Sequence, residues 1–319
     1  MRRLAPTLAL TLCALLPAAS ANTALPTRAT FPVTVTHALG QTTVPARPTR
    51  VVALGPHALD LLLSLGVQPV GYGEASTFIK TPAFGSPIRD IRYLGSRVTS
   101  SPINVGDRFN PNLEILATLK PDLIVGEDYA AQVYPQLSRI APTLLFKGID
   151  RNEWQKTLPL LARALDREQA GAAALNTYNR GVQQTRSRLA SAVKGERVLV
   201  VWTGGGDAKN TFTISSSDDW TGGLLNDLGL NVIDGEKRDA AVSVEGLSAL
   251  NPDAVIVLAA GTNTPTRARA DWNGNPLTAR LRASQLKQVY FFDYHLFRRL
   301  RGPIAAQLIE RQLVKAMTK

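Results

Sequence analysis

Two stretches of this chain repeat one another, and that repeat restricts the possible fold more than any other feature. Asn112-Leu113-Glu114-Ile115-Leu116-Ala117-Thr118-Leu119-Lys120-Pro121-Asp122 is echoed by Ser243-Val244-Glu245-Gly246-Leu247-Ser248-Ala249-Leu250-Asn251-Pro252-Asp253. Each copy opens on a helix-capping residue, carries Glu two positions later, and continues as a short apolar helix. Pro-Asp then ends the helix and leads into an apolar run of the buried-strand type. A chain with the same helix-strand unit in both halves is expected to build two related lobes. Local physics explains part of the match, since a carboxylate in the first helical turn is favoured by about 0.3–1 kcal/mol through the free amides and the helix dipole. It does not require Glu114 and Glu245 at equivalent places, so a shared docking role stands beside simple helix stabilisation.

Strand and helix signals alternate around both copies. Residues 31–36 and 42–44 are β-rich, with Leu39-Gly40-Gln41 as the turn between them. Residues 50–54 read as a strand, 58–65 as a helix stopping at Gly66, and 67–71 as another strand. The alternation continues through 113–119, 122–125 and 143–146, then through 197–202, 212–215, 220–228, 230–233, 253–258 and 289–292. It closes on a helix over 303–317 with proline in its first turn. This is the pattern of strand-helix units around mainly parallel sheets. Between the halves, residues 167–193 contain no proline and space Ala172, Leu175, Val182, Leu189 and Val193 at helical intervals. Asp166 followed by Gln169 resembles a capping box for one helix of roughly 40 Å. It reads either as a rigid connector or as a helix internal to one lobe. The expected division is residues 1–21 as a signal peptide, 22–165 as an N-terminal α/β lobe, 166–194 as a linker helix and 195–319 as a C-terminal α/β lobe.

The signal is read from Met1-Arg2-Arg3, an apolar middle over residues 4–17, and Ala19-Ser20-Ala21 as a cleavage site. The apolar middle is too short for a stable membrane span. The only cysteine, Cys13, lies inside it, so the exported product carries no thiol and no disulfide. A lipid anchor is not expected, because Leu10-Thr11-Leu12-Cys13 has leucine where a small residue is required. Removing Arg2 and Arg3 takes the net charge from +11 to +9. That excess is scattered without dense Lys/Arg runs interleaved with aromatics, which argues against nucleic acid as a partner.

The pattern Pro111-Asn112-Leu113-Glu114 through Lys120-Pro121-Asp122-Leu123-Ile124-Val125 resembles the substrate-binding proteins of siderophore, haem and cobalamin ABC importers. The resemblance covers essentially the whole mature chain. Trp220-Thr221-Gly222-Gly223-Leu224-Leu225, Leu228-Gly229-Leu230-Asn231-Val232 and Arg299-Leu300-Arg301-Gly302-Pro303-Ile304 are most similar to the ferric-dicitrate-binding members. It implies two Rossmann-like lobes joined by one long helix, the class III periplasmic binding protein fold. It also implies a periplasmic or otherwise extracytoplasmic monomer that captures a ferric siderophore between the lobes and delivers it to a permease and its ATPase. Glu114 and Glu245 would then dock on basic pockets of the permease.

A ferric hydroxycarboxylate complex is anionic and its metal is already wrapped in oxygen, so its binder needs cationic donors and aromatic walls rather than cofactors or metal ligands. Arginine holds a carboxylate through two parallel hydrogen bonds. Arg108, in the loop before the first repeated helix, and Arg299 and Arg301, after the last strand, are the candidate donors; each has a solvated or capping role as its alternative. Trp220 precedes two glycines at a helix start and is either a ligand wall or a core anchor. Trp202 and Tyr129 follow expected strands, and Tyr72 lies in a Gly-Tyr-Gly turn, where strand ends face the crevice of α/β lobes. Lys209 sits in a glycine run, Gly204-Gly205-Gly206, that lacks a phosphate-loop ending and reads as a hairpin. Haem or cobalamin remains an alternative ligand. An exported hydrolase fits poorly, because the three histidines, His37, His57 and His295, are far apart and no nucleophile motif accompanies them.

Overall fold

The computed structural model describes residues 29–74, 86–192, 195–203, 211–235 and 239–318. The signal segment and Lys209 lie outside them. A hairpin of β1 (Val33–His37) and β2 (Gly40–Val44) precedes the first lobe and turns at Ala38-Leu39, so Gly40, at φ 120°, opens the second strand. The first lobe runs β3 (Val51–Leu54), α1 (Pro56–Ser64), β4 (Gly71–Glu74), α2 (Pro87–Asp90), β5 (Ile103–Asp107), α3 (Leu113–Leu119), β6 (Leu123–Glu127), α4 (Tyr134–Ile140), β7 (Thr143–Phe146) and α5 (Glu153–Ala164). Its five strands are all parallel, in the order β5-β4-β3-β6-β7. After α6 (Glu168–Leu189) come β8 (Arg197–Thr203), β9 (Thr211–Ile214), α7 (Trp220–Asp227), β10 (Asn231–Val232), β11 (Ala241–Ser243), α8 (Val244–Leu250) and β12 (Ala254–Ala259). The chain finishes with α9 (Pro265–Asn273), α10 (Arg282–Gln285), β13 (Val289–Asp293) and α11 (Pro303–Met317). The second sheet runs β11-β9-β8-β12-β13 with β10 beside β8; β9 is antiparallel to both its neighbours and the rest is parallel.

The repeated unit is reproduced down to its hydrogen bonds. Asn112 and Ser243 each accept, through the side chain, the amide three residues on, from Ile115 at 3.0 Å and Gly246 at 3.3 Å. Both helices end in a left-handed residue, Lys120 at φ 46° and Asn251 at φ 45°. Asp122 then accepts the amides of Thr49 and Arg50, as Asp253 accepts that of Arg197. Arg50 and Arg197 reach back to carbonyls at the ends of the two helices, Leu119 and Asn251. The same sequence pattern thus ties helix to strand through one set of local bonds in each lobe.

The connection between lobes departs from the sequence reading in detail. The long helix spans Glu168–Leu189 rather than 167–193, and its N-cap is Arg167 without a side-chain cap. Asp166 adopts φ 55° and lies 3.7 Å from Arg47, a geometry incompatible with the capping box. Two further links join the lobes. Residues Ile149 and Arg151 exchange backbone hydrogen bonds with Trp220 and Asp218. Helix α11 packs against α6 and α1, with Asp60 of α1 accepting the amides of Ile304 at 3.0 Å and Ala305 at 2.8 Å.

Glu310 of α11 is buried against α6, where Gly181 makes room: a Cβ there would lie 2.7 Å from its Oε2. Burial raises its carboxyl from near 4.5 to about 7, against the small opposing pull of Thr185 and Arg311. A pKa raised on folding gives stability that is full below about pH 4.5 and is lost as pH rises through about 7. Glu310→Gln, which mimics the protonated acid, is therefore expected to stabilise the protein by about 2 kcal/mol at pH 8 and to change little at pH 4. Urea unfolding at the two pH values measures both.

Candidate functional site

Parallel strands aim their C-terminal ends at one side of a sheet, and groups at those ends of the two halves meet, Glu127 with Arg301 and Asp293 with Arg92. On the first lobe, Glu127 is the last residue of β6 and Arg108 the first after β5. Arg301, also buried, reaches them from the second half, following a helical turn over His295–Leu300 and held at φ 57°. Glu127 accepts from Arg108 Nη1 at 3.1 Å on one oxygen and from Arg301 Nη2 on the other. Burial opposes its ionisation, but the charges facing it, Arg301 foremost, outweigh burial and hold its carboxyl below the usual range. His57 lies beside the group and donates Nδ1–H to the Leu300 carbonyl at 3.1 Å; burial takes its pKa down to about 4, so it is neutral.

Aromatic rings flank the arginines. The Arg108 guanidinium lies 4.2 Å from the Tyr129 ring centroid and 4.8 Å from that of Phe109. On the second lobe, Arg298 stands 4.5 Å over Trp202, Trp202 meets Tyr294 at 5.8 Å, and Arg299 stands 5.3 Å over Tyr294. Buried Arg298 is anchored by Asp219, with Asp239 at 3.2 Å as a second partner. Arg299 is half-buried and has no ion pair among the described residues. At the rim, Arg92 of the first lobe pairs with Asp293 at the end of β13, and Tyr93, at φ 63°, stacks on His295. Burial first, then the charges of Arg92, Arg299 and Arg108, pull His295 down to about 3, leaving it neutral.

Of the residues singled out from sequence, Arg108, Arg299, Arg301, Tyr129 and Trp202 come together here. Tyr72 and Trp220 do not. Tyr72 lies within β4 rather than a turn, is buried in the core, and donates its hydroxyl to Glu74 at 3.2 Å. Trp220 is a core anchor whose ring meets Trp154 edge-on at 6.2 Å. Its glycines serve packing, since a Cβ at Gly222 would lie 2.2 Å from the Ser216 carbonyl and one at Gly223 2.4 Å from Arg151. Glu114 and Glu245 are both exposed in the first turns of the matched helices. The sequence reading missed Glu127, Arg298, Arg92, Tyr93 and Asp293. A carboxylate closing the apolar run Leu123–Glu127 was the available signal for the first of these.

Among the described residues no three His, Cys, Asp or Glu side chains converge on one point, and no helix is long and apolar enough to cross a membrane. The arrangement is suited to holding an anion of carboxylate type between cationic forks and ring faces.

Comparison with known proteins gives the same outline. The chain is 28% identical over 282 residues to the Fe(3+)-citrate-binding protein YfmC of Bacillus subtilis, covering 86% of this chain and 83% of that one. It is 29% identical over 294 residues to the Fe(3+) dicitrate-binding periplasmic protein FecB of Escherichia coli, covering 89% and 90%. The crystal structure of Staphylococcus aureus SirA complexed with staphyloferrin B superposes with a TM-score of 0.72 at 25% identity, covering 89% of this chain and 97% of that one. The two-lobed architecture is that of the class III periplasmic binding proteins. Residues 51–295 match the family described as periplasmic binding protein, and the chain belongs to that family.

Proposed function

We propose that this chain captures an anionic ferric siderophore, ferric dicitrate or a close relative, in the crevice between its lobes and delivers it to an ABC import permease and its ATPase. The observation that carries this reading is the set of arginines and aromatic rings at the strand ends: Arg108 against the touching rings of Phe109 and Tyr129, and Arg299 over Tyr294 beside Trp202. Guanidinium groups repel a bare ferric ion but attract one already chelated by hydroxycarboxylates, so the site favours the complex over the free metal. The likeness to YfmC and FecB, both named for ferric citrate binding, supports the same ligand class. The reading is of a binding protein rather than an enzyme, acting as an exported monomer outside the cytoplasmic membrane.

Tryptophan fluorescence tests it. Trp154, Trp220 and Trp272 are buried, whereas Trp202 is partly exposed among the cleft aromatics. Titration with ferric citrate is expected to give saturable quenching that is largely lost in Trp202→Phe, while haem, cobalamin and neutral ferric hydroxamates give none. No response to any ferric complex overturns the proposal.

A further inference from the structure

Glu127 occupies a place the fold has kept open for it. A Cβ at Gly148 would lie 2.2 Å from its Oε1, closer than any side chain could stand. Gly55, at φ 109°, backs the same group, with a Cβ there meeting Arg108 Cδ at 3.4 Å and Glu127 Oε2 at 3.8 Å. Glu127 is the last residue of β6, so its position is fixed by the sheet rather than by a loop. Its two oxygens are divided between arginines from the two halves of the chain, Arg108 and Arg301, all three side chains being at most 3% exposed. Among the described residues it is the only carboxylate in ion contact with either. Nearby, half-buried Asp128 feels both Glu127 and Arg301, with the Lys147 cation set against it. Arg299 adds a cation without an ion pair among the described residues, and Arg92 is matched by Asp293.

A buried ion cluster of this kind is a weak way to gain stability, since desolvation offsets most of the attraction. Its geometry instead fixes two things a ligand would meet: the direction of the guanidinium forks and the number of positive charges left unmatched. We infer that Glu127 is a positioning and charge-setting residue, which subtracts one charge from the cleft arginines and thereby tunes selection of ligands by their total negative charge. This rests on the proposed capture of an anionic ferric complex, but it makes a separate demand on the residues of this chain.

The test compares wild type, Glu127→Gln, Glu127→Asp and the double variant Glu127→Gln/Arg301→Gln. Titration with ferric citrate over a range of sodium chloride concentrations gives the slope of affinity against salt, which tracks unmatched charge. Glu127→Gln is expected to bind roughly tenfold tighter at low salt, with a steeper slope. Glu127→Asp and the double variant, which keep or restore the charge balance, are expected to return to the wild-type slope. A purely structural glutamate would weaken binding in all three variants and leave the slope unchanged, and that result overturns the inference. A second arm uses iron-free citrate at constant ionic strength, with thermal unfolding as the readout. Citrate should raise the melting temperature of Glu127→Gln more than that of wild type, and equal shifts overturn the inference. If Glu127→Gln does not fold, the double variant decides: a folded protein with the wild-type slope supports charge balance, and an altered slope rejects it. Failure of every protein to bind ferric citrate would remove the proposed function, while the citrate arm would still judge the role of Glu127.

Discussion

A chain carrying Glu114→Arg and Glu245→Arg together is expected to bind ferric citrate within about twofold of wild type yet support no uptake through the permease. Both carboxylates are exposed, each in the first turn of one copy of the repeated unit, and neither contacts the cleft arginines. Glu245 is held ionised by the Ser243 hydroxyl, whose pull places its carboxyl below the usual range. Two charges carried on two lobes by the same local framework form a pair whose spacing depends on how the lobes sit, which suits recognition by a partner with two matching basic pockets. Exposed ion pairs contribute about 0–1 kcal/mol each, so either single reversal is expected to leave partial uptake that falls further at high salt. The helices themselves tolerate the change, because losing a first-turn carboxylate costs only about 0.3–1 kcal/mol. The measurement pairs ligand titration of the purified variants with iron uptake by cells or vesicles containing the transporter. Loss of ligand binding in the double variant would place these glutamates in the binding site and sink the docking assignment.

The parts of this fold readable from sequence are those fixed by short-range chemistry. The repeated caps, the Pro-Asp junctions, β7 and α11 follow from residues within a few positions of one another, and the structure reproduces them. Errors arose where distant residues decide. Gly71-Tyr72-Gly73 carries the composition of a turn, but β4 is enclosed by neighbours: a Cβ at Gly71 would lie 2.9 Å from Leu119 and 3.0 Å from Val105. Its glycines allow a central strand to pack closely, and Tyr72 follows the strand inward. Trp220, open in sequence between ligand wall and core anchor, is the core anchor, and the local pattern could not choose because glycines at a helix start look alike whether they admit a ligand or a neighbouring carbonyl. In the site, arginine positions could be guessed from local context, whereas their partners could not. The Glu127–Arg301 contact joins residues 174 positions apart, and the Arg92–Asp293 contact joins residues 201 apart. No periodicity encodes either pairing.

Asp219→Ala is expected to cost about 3 kcal/mol of stability in denaturant unfolding. Asp219 is fully buried, caps α7 by accepting the Gly222 amide at 3.0 Å, accepts the Ser215 hydroxyl at 2.7 Å, and pairs with Arg298. Removing it leaves a guanidinium at 3% exposure with the neutral Ser215 hydroxyl at 3.0 Å and one carboxylate, Asp239, whose side chain is 49% exposed. Stranding a buried charge costs far more than the intact pair contributes, so most of the loss comes from Arg298 and not from the missing cap, worth about 1 kcal/mol. Replacing both, as Asp219→Ala/Arg298→Met, is therefore expected to recover a large part of the stability. Asp239→Ala, at the exposed end of the same arginine, should cost less than about 1 kcal/mol. The effect extends to binding because Arg298 lies 4.5 Å over Trp202, which in turn touches Tyr294 beneath Arg299. With its cation displaced, Trp202 loses the contact that fixes its ring against the cleft, and ferric citrate affinity should fall in Asp219→Ala even at temperatures where the variant is fully folded. A stability loss with unchanged affinity would mean that Arg298 holds the second lobe together without organising its binding wall.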